Sequence, residues 1–447
     1  MAVVSPQAKQ PNSRRYISAA RQGRCLKADD ELCSLIICLV AFKTLQGAKK
    51  TDPVVRERLS WRVHASSLVK EKAFNRYYRM IFSTFQDLLC IVGPYLVIDH
   101  YQSLRRSRGI PPPSPATMLQ CALSWLAGGS YHHIRVITGV STVTFYRIAY
   151  RVMFAINDSD KLAPRFPSTP QELSASAAAF RSCSNHGVIE NCIIDGWLCP
   201  VRVPRKDECV RVLSFFSGHY QKYGLNVQAC SDHLSRFTAF SISSPGGMND
   251  SYAFQRWQLS KALRDISGPY FVIGDNAYVQ SRRVMTPFNK AELVDRPDRD
   301  SYNFHVSQLR IRIEMAFGLL VNKWRILKQP LFVRLRHCWI VISACMRLHN
   351  FCITQRCMSA NPSPQQMLQS MARDVRSWNN QDPLNYEASD VEQDYRDEVE
   401  SALNLDPSEV ELDDGTRVNL MDEKVRSKLV DRIACRNLHR PELLGYI

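Results

Sequence analysis

The run Cys192-Ile193-Ile194-Asp195-Gly196-Trp197 is apolar up to a carboxylate and then meets glycine. The same pattern returns in "GPYFVIGDNAY", where an apolar run ends on Gly274 and Asp275. A short apolar run bounded by turn residues reads as a buried strand, and an acid at its end is either a turn-former or a group directed into a site. Two such strands in one chain constrain the fold more than any other feature, because ligands commonly sit at strand ends. Around them, "NCIID", "YGLNVQACSD" and "FTAFSISSP" succeed one another at turn-length gaps, which predicts an antiparallel meander. Long helical segments follow at 307–327 and 337–353. Strands and then helices predict a mixed α/β or α+β catalytic domain over residues 188–357.

A third acid, Glu314, lies mid-helix in "RIRIEMAFG", with Ile311, Phe317 and Val321 nearby on the helical wheel. A glutamate on the apolar side of a helix is costly to bury unless it is paired or coordinates a cation. Three acids brought together repel one another and raise their pKa values unless a divalent cation offsets the charge. Mg²⁺ suits that purpose, since it takes hard oxygen ligands from one or two carboxylates and from substrate phosphate. Two such ions roughly 3.5–4 Å apart activate a water or 3′-OH and stabilise the leaving oxygen in phosphodiester chemistry.

Charge points to the substrate. The net charge is +16, although residues 381–414 hold thirteen Asp or Glu against the single base Arg396. That segment's −12 leaves +28 on the rest, which suits a polyanion such as nucleic acid. The fifteen cysteines are odd in number, scattered and without a CxxC pair, so neither a disulfide framework nor a zinc ribbon is expected. Cys338, Cys345 and Cys352 recur every seven residues and read as small hydrophobes on one helix face. The longest apolar run, 32–42, is too short to span a bilayer, so no membrane anchor is expected. No GxxxxGK loop, HExxH or GxSxG elbow is present.

The organisation reads as a basic, partly disordered segment over 1–70 and a helical region over 71–158. A linker and helix fill 159–187, and an acidic, flexible tail covers 358–447. "NDSDKLAPRFPSTP" at 157–170 is Pro-rich, and Thr169 with Glu172 forms a capping-box pattern. Ser114 and Pro115 after "PPP" predict a helix start. "SYHHIRVITGVSTVTFYRIAYRVMFAI" at 130–156 has helix-turn-helix grammar, with Gly139 in the turn and polar residues Ser141, Thr142, Thr144, Arg147 and Arg151. Helix packing explains the same glycine, so DNA reading and packing both stand. Lys222, Arg310, Arg312, Lys323 and Arg325 are candidates for phosphate contacts or solvated surface charges. Asp232 reads as a turn residue, and His349 and Asn350 of "LHNF" as helix-packing polar residues.

In order along 188–353, "IIDGW", "YQKYGLNVQACSD", "SPGGMNDSYAF", "GDNAY", "YNFHVSQLRIRIEMAFGLLVNKWRIL" and "LHNF" resemble the DDE endonuclease domain of PIF/Harbinger transposases and Harbinger-derived nucleases. The resemblance implies an RNase H-like fold preceded by a helix-turn-helix. It implies metal-dependent cleavage or transfer of DNA strands, with Asp195, Asp275 and Glu314 catalytic and Asp250 of "GGMNDS" a further ligand for Mg²⁺ or Mn²⁺. On this resemblance Asp195 is a metal ligand, and Gly196 lets the backbone bend where the strand meets the site. The family often has Thr where Trp197 stands. A domesticated DNA-binding or partner-recruiting protein without turnover is the alternative, and an RNase H-like enzyme acting on RNA fits the same chemistry. A Myb-like DNA-binding partner and a nuclear location, with the cytoplasm possible too, are also implied.

Overall fold

The apolar run at 192–194 does form a strand, but the strand does not stop at its acid. In the computed structural model, β1 spans Cys192–Pro200 and carries Asp195 in its middle. The structure describes residues 57–107, 110–183, 192–360, 420–436 and 438–440. The basic segment before residue 57 and the acidic stretch 381–414 lie outside the described residues.

Five more strands follow: β2 (Phe216–Ser217), β3 (Lys222–Ser231), β4 (Phe237–Pro245), β5 (Val272–Ile273) and β6 (Val284–Met285). β3 pairs antiparallel with β1 along almost its whole length, and β4 and β2 pair antiparallel with β3. On the other side of β1 the sheet turns parallel, β1 to β5 and β5 to β6. The outcome is a mixed sheet: an antiparallel hairpin unit on one side of β1 and two short parallel strands on the other. β3 is buried over eight consecutive residues, as a central strand covered on both faces must be.

The helices before the sheet are α1 (Trp61–Lys70), α2 (Phe74–Tyr78), α3 (Phe82–Val92), α4 (His100–Arg106), α5 (Pro115–Leu126), α6 (Tyr131–Thr138), α7 (Thr142–Asp158) and α8 (Pro170–Cys183). Ser114 caps α5 by accepting from the Thr117 amide at 3.2 Å, ahead of Pro115. Thr169 and Glu172 make the expected reciprocal bonds at the start of α8. After β4 come α9 (Asp250–Arg256), α10 (Gln258–Asp265), α11 (Lys290–Leu293), α12 (Pro297–Lys323), α13 (Leu335–Ala360) and α14 (Leu420–Cys435). Helix α12 runs over β1 and β3, and α13 lies against β4 and α7.

The helical region and the sheet region belong to one compact unit, Arg56–Ile447. Asn157 donates to the Ile340 carbonyl at 3.0 Å and Arg347 to the Ser159 carbonyl at 3.2 Å, so the Pro-rich connection leaves α7 clasped to α13. Within the stretch read as an acidic tail, α14 packs on α12 through Leu429, Val430 and Ile433. Its Arg426 lies over the Phe288 ring at 3.8 Å and pairs with Glu292 at 3.2 Å. Cys338, Cys345 and Cys352 are buried free thiols, as their spacing predicts. Among the described residues no helix is long and apolar enough to cross a membrane.

Candidate active site

Register brings the first two acids together. Ile193 of β1 stands opposite Ile273 of β5, and two residues further along each chain come Asp195 and Asp275. Side chains alternate across a strand, so Asp195 shares the face of Ile193, and Asp275, just past the end of β5, lies close enough for its charge to act on Asp195. Asp195 Oδ1 accepts from the Gly196 amide at 2.8 Å, and Asp275 Oδ1 from the Ala277 amide at 2.9 Å. Trp197, two residues past Asp195, stacks on Phe317 of α12 with centroids 5.6 Å apart, which identifies α12 as the helix covering this face.

Helix α12 contributes Glu314 and, one turn earlier, Arg310, whose Nη2 donates to Glu314 Oε1 at 3.0 Å. The expectation that Glu314 lies on the apolar side of its helix is corrected. Ile313, Ala316, Phe317 and Leu320 take the buried face, and the Glu314 side chain keeps 37% of its exposure at the rim. Arg310 is the more buried partner, at 18%.

The four groups act on one another electrostatically. Burial, reinforced by the Asp275 and Glu314 charges and opposed by Arg310, pushes Asp195 up to about 8. Asp275 is raised for the same first reason, with Arg310 and the Ala277 amide opposing and Asp250 and Glu314 adding. Burial works against the Arg310 charge, but Asp195, Asp275 and Glu314 outweigh it and hold its pKa above the ordinary value. Arg310, one of the phosphate-contact candidates, is therefore an internal counter-ion within the acid cluster.

Asp250 approaches from the other side of β1. It opens α9, which Asn249 caps by accepting from the Tyr252 amide at 2.9 Å. Its Oδ1 accepts from Asn226 Nδ2 at 2.9 Å and Gln228 Nε2 at 2.7 Å. Gln228 Oε1 in turn accepts from the Tyr278 hydroxyl at 2.7 Å. Sequence reasoning missed Asn226, Gln228 and Tyr278. Their signal was two polar residues at strand period in an otherwise apolar strand, "LNVQAC".

Gly196 has a different purpose from the one expected of it. The backbone does not bend there, because β1 continues through it in register with Gln228. A Cβ at Gly196 would stand 2.1 Å from Asp250 Oδ1 and 2.7 Å from Gln228 Nε2. The glycine leaves room for the Asp250 carboxylate to lie against the strand.

Other candidates fall elsewhere. Lys222 pairs with Ser217 at the far end of β3, seven residues and roughly 23 Å along the strand from Ala229, the neighbour of Asp195. Lys323 is buried. Asp232 accepts from the Leu234 and Arg236 amides at 2.9 and 2.8 Å, the turn role its position suggested. Asn350 accepts from the Phe237 amide at 2.8 Å and donates to its carbonyl at 2.7 Å, fastening α13 to the start of β4. His349 meets the Ser235 carbonyl at 2.8 Å.

Helices α6 and α7 meet at Gly139, which is left-handed at φ 58°. Ser141 accepts from the Thr144 amide at 3.2 Å and its hydroxyl lies 2.9 Å from the Thr144 hydroxyl. Thr142 accepts from Arg135 at 3.1 Å, so these three polar residues hold the turn together. Arg147 is exposed. Arg151 is also exposed, yet it donates to the Val97 carbonyl at 2.9 Å and ties α7 to the chain after α3.

Residues 194–350 match the family model described as DDE superfamily endonuclease, about a third of the chain. The match supports a nuclease of the DDE transposase type. Asp195, Asp250, Asp275 and Glu314 all fall inside it. No curated protein and no solved structure matches the chain.

The donor set suits a hard divalent cation: carboxylates only, partly buried, with more negative charge than Arg310 offsets. The side chains are not gathered at ligand distances. Among the described residues no three His, Cys, Asp or Glu side chains converge closely enough to hold one ion.

Proposed function

We propose that the chain is a divalent-cation-dependent DNA endonuclease or transposase of the PIF/Harbinger kind, on an RNase H-like domain. The observation that carries this reading is the meeting of Asp195 on β1, Asp275 just past the end of the neighbouring parallel strand β5, and Glu314 on the helix over β1, close enough for their charges to act on one another. The strand arrangement, antiparallel on one side of β1 and parallel on the other, supports the fold assignment.

Asp195, Asp275 and Glu314 would hold Mg²⁺ or Mn²⁺, and Asp250, whose charge reaches Asp275 from its seat against Gly196, would be a further ligand. A bound divalent cation supplies Lewis acidity, generating a nucleophile from water and stabilising the leaving oxygen of a phosphodiester. The chain's own residues prepare that chemistry. Asp195 and Asp275 are oriented by backbone amides, and Asp250 is fixed by Asn226 and Gln228. The Trp197–Phe317 stack forms an aromatic wall beside Asp195.

The charge favours a nucleic acid and the DDE endonuclease match favours DNA, and Arg147 on the α6–α7 hairpin is the best placed of the helical candidates to meet phosphate. Ser141, Thr142 and Thr144 would present the turn. A Myb-like partner and a nuclear setting complete the reading. The engagement of Glu314 with Arg310 favours a second reading, a DNA-binding relative without turnover.

Incubating the protein with DNA and RNA substrates side by side, with Mg²⁺ or Mn²⁺, tests the proposal. DNA alone is expected to be cleaved. Cleavage of RNA alone would overturn the substrate assignment, and cleavage of neither would favour the binder.

A further inference from the structure

Arg310 is the feature of the site that a simple carboxylate cage does not explain. Its guanidinium lies among Asp195, Asp275 and Glu314, feels all three charges, and pairs with Glu314 at 3.0 Å from one helical turn away. It is the more buried half of that pair, and its Nε is buried with no hydrogen-bond partner among the described residues. A buried donor left unpaired is unfavourable, and Arg135 and Arg347 share that feature, so what sets Arg310 apart is its pairing with Glu314 and the pull of three carboxylates.

Resting on the metal-site reading above, we propose that Arg310 is a positioning residue, the built-in counter-ion of the acid cluster. It holds Glu314 away from the aspartates and yields it when a divalent cation enters. Two consequences follow from Coulomb's law. Without a cation, Arg310 relieves repulsion among acids that share one partly buried site. With a cation, the same fixed positive charge competes with the ion, so it lowers affinity in return for a stable unloaded site. A Glu314 that swings only when the cation arrives also makes assembly of the site depend on loading. This gives a physical reason why the carboxylates do not stand at ligand distances although their chemistry suits an ion.

The test measures thermal unfolding and Mn²⁺ binding by calorimetry, neither of which needs turnover. The full-length wild type is compared with Arg310→Met, which keeps length and loses charge, and Arg310→Lys, which keeps charge. In chelator at neutral pH, Arg310→Met is expected to unfold about 3–8 °C below wild type, with Arg310→Lys between them. Mn²⁺ is expected to bind Arg310→Met on the order of tenfold more tightly than wild type, and Arg310→Lys close to wild type. Wild type that binds Mn²⁺, together with Arg310→Met of equal or weaker affinity, would overturn the counter-ion role and leave the metal site standing. Wild type that binds no Mn²⁺ would overturn the metal site, and displacement of Arg310 with it. If Arg310→Met does not fold, Arg310→Lys decides: Mn²⁺ affinity within a few-fold of wild type is expected, and a change of about tenfold or more in either direction despite the retained charge would refute a role for charge.

Discussion

Replacing Gly196 with alanine probes how Asp250 is seated. The added Cβ would stand 2.1 Å from Asp250 Oδ1, 2.7 Å from its Cγ and 2.7 Å from Gln228 Nε2. An ordinary contact needs more than 3 Å, so the carboxylate must retreat by about 1 Å or more. That retreat stretches the bonds it accepts from Asn226 and Gln228, now 2.9 and 2.7 Å, beyond useful length. Hydrogen bonds to a charged group contribute about 1.5–3 kcal/mol each, and overpacking adds about 1–3 kcal/mol. Asp250 is partly exposed and regains water, so the net loss is about 2–4 kcal/mol. Urea unfolding should show a lower midpoint at unchanged slope. Gly218→Ala, where a Cβ meets nothing within 4 Å, serves as control and should stay within about 0.5 kcal/mol of wild type. In an Asp250→Ala background the loss at Gly196→Ala should shrink by at least half. A cost that is absent, or unchanged in that background, would refute the close-approach argument.

Three further outcomes are expected. Asp195, whose pKa burial raises to about 8, favours its protonated form in the fold, so without divalent cations stability falls as pH rises from about 4 towards 8. Asp195→Asn should remove that fall, raising stability at pH 8 by on the order of 2–3 kcal/mol after allowance for partial solvent access, and changing little at pH 4 in thermal melts. Asn350→Ala leaves the Phe237 amide and carbonyl unpaired and should lower stability by about 1–3 kcal/mol in urea unfolding, without altering DNA affinity. Arg147→Ala should weaken DNA binding several-fold and reduce the salt slope by about 1, whereas Arg151→Ala, which loses its bond to Val97, should act mainly on melting temperature.

Much of the sheet was legible because its signals are local. Alternation and buried runs marked β1, β3 and β4, and Ser114, Thr169 and Gly139 marked helix ends through their capping chemistry. The continuation of β1 past Gly196 was not legible. Glycine reads as a stop, and only the spatial approach of Asp250 reveals why it sits within a strand. The role of Arg310 was hidden for a similar reason, since its partners Asp195 and Asp275 are distant in sequence and only Glu314 is a helical neighbour. Asn350 looked like a packing residue, and its link to β4 depends on a fold-level contact across more than a hundred residues. Helix α14 lies beyond an acidic stretch whose composition dominated the reading of everything after residue 358. Its Arg426, stacked on Phe288, carries no periodic signal of its own.

The central claim is that Asp195, Asp275 and Glu314 form a divalent-cation site that breaks DNA. Its most direct test is conversion of supercoiled DNA to the nicked circle, with Mg²⁺ or Mn²⁺ and with chelator, by wild type and by an Asp195→Ala, Glu314→Ala double variant. The expected result is nicking that requires the cation and disappears in the variant. Nicking that survives either chelator or the double substitution would contradict it.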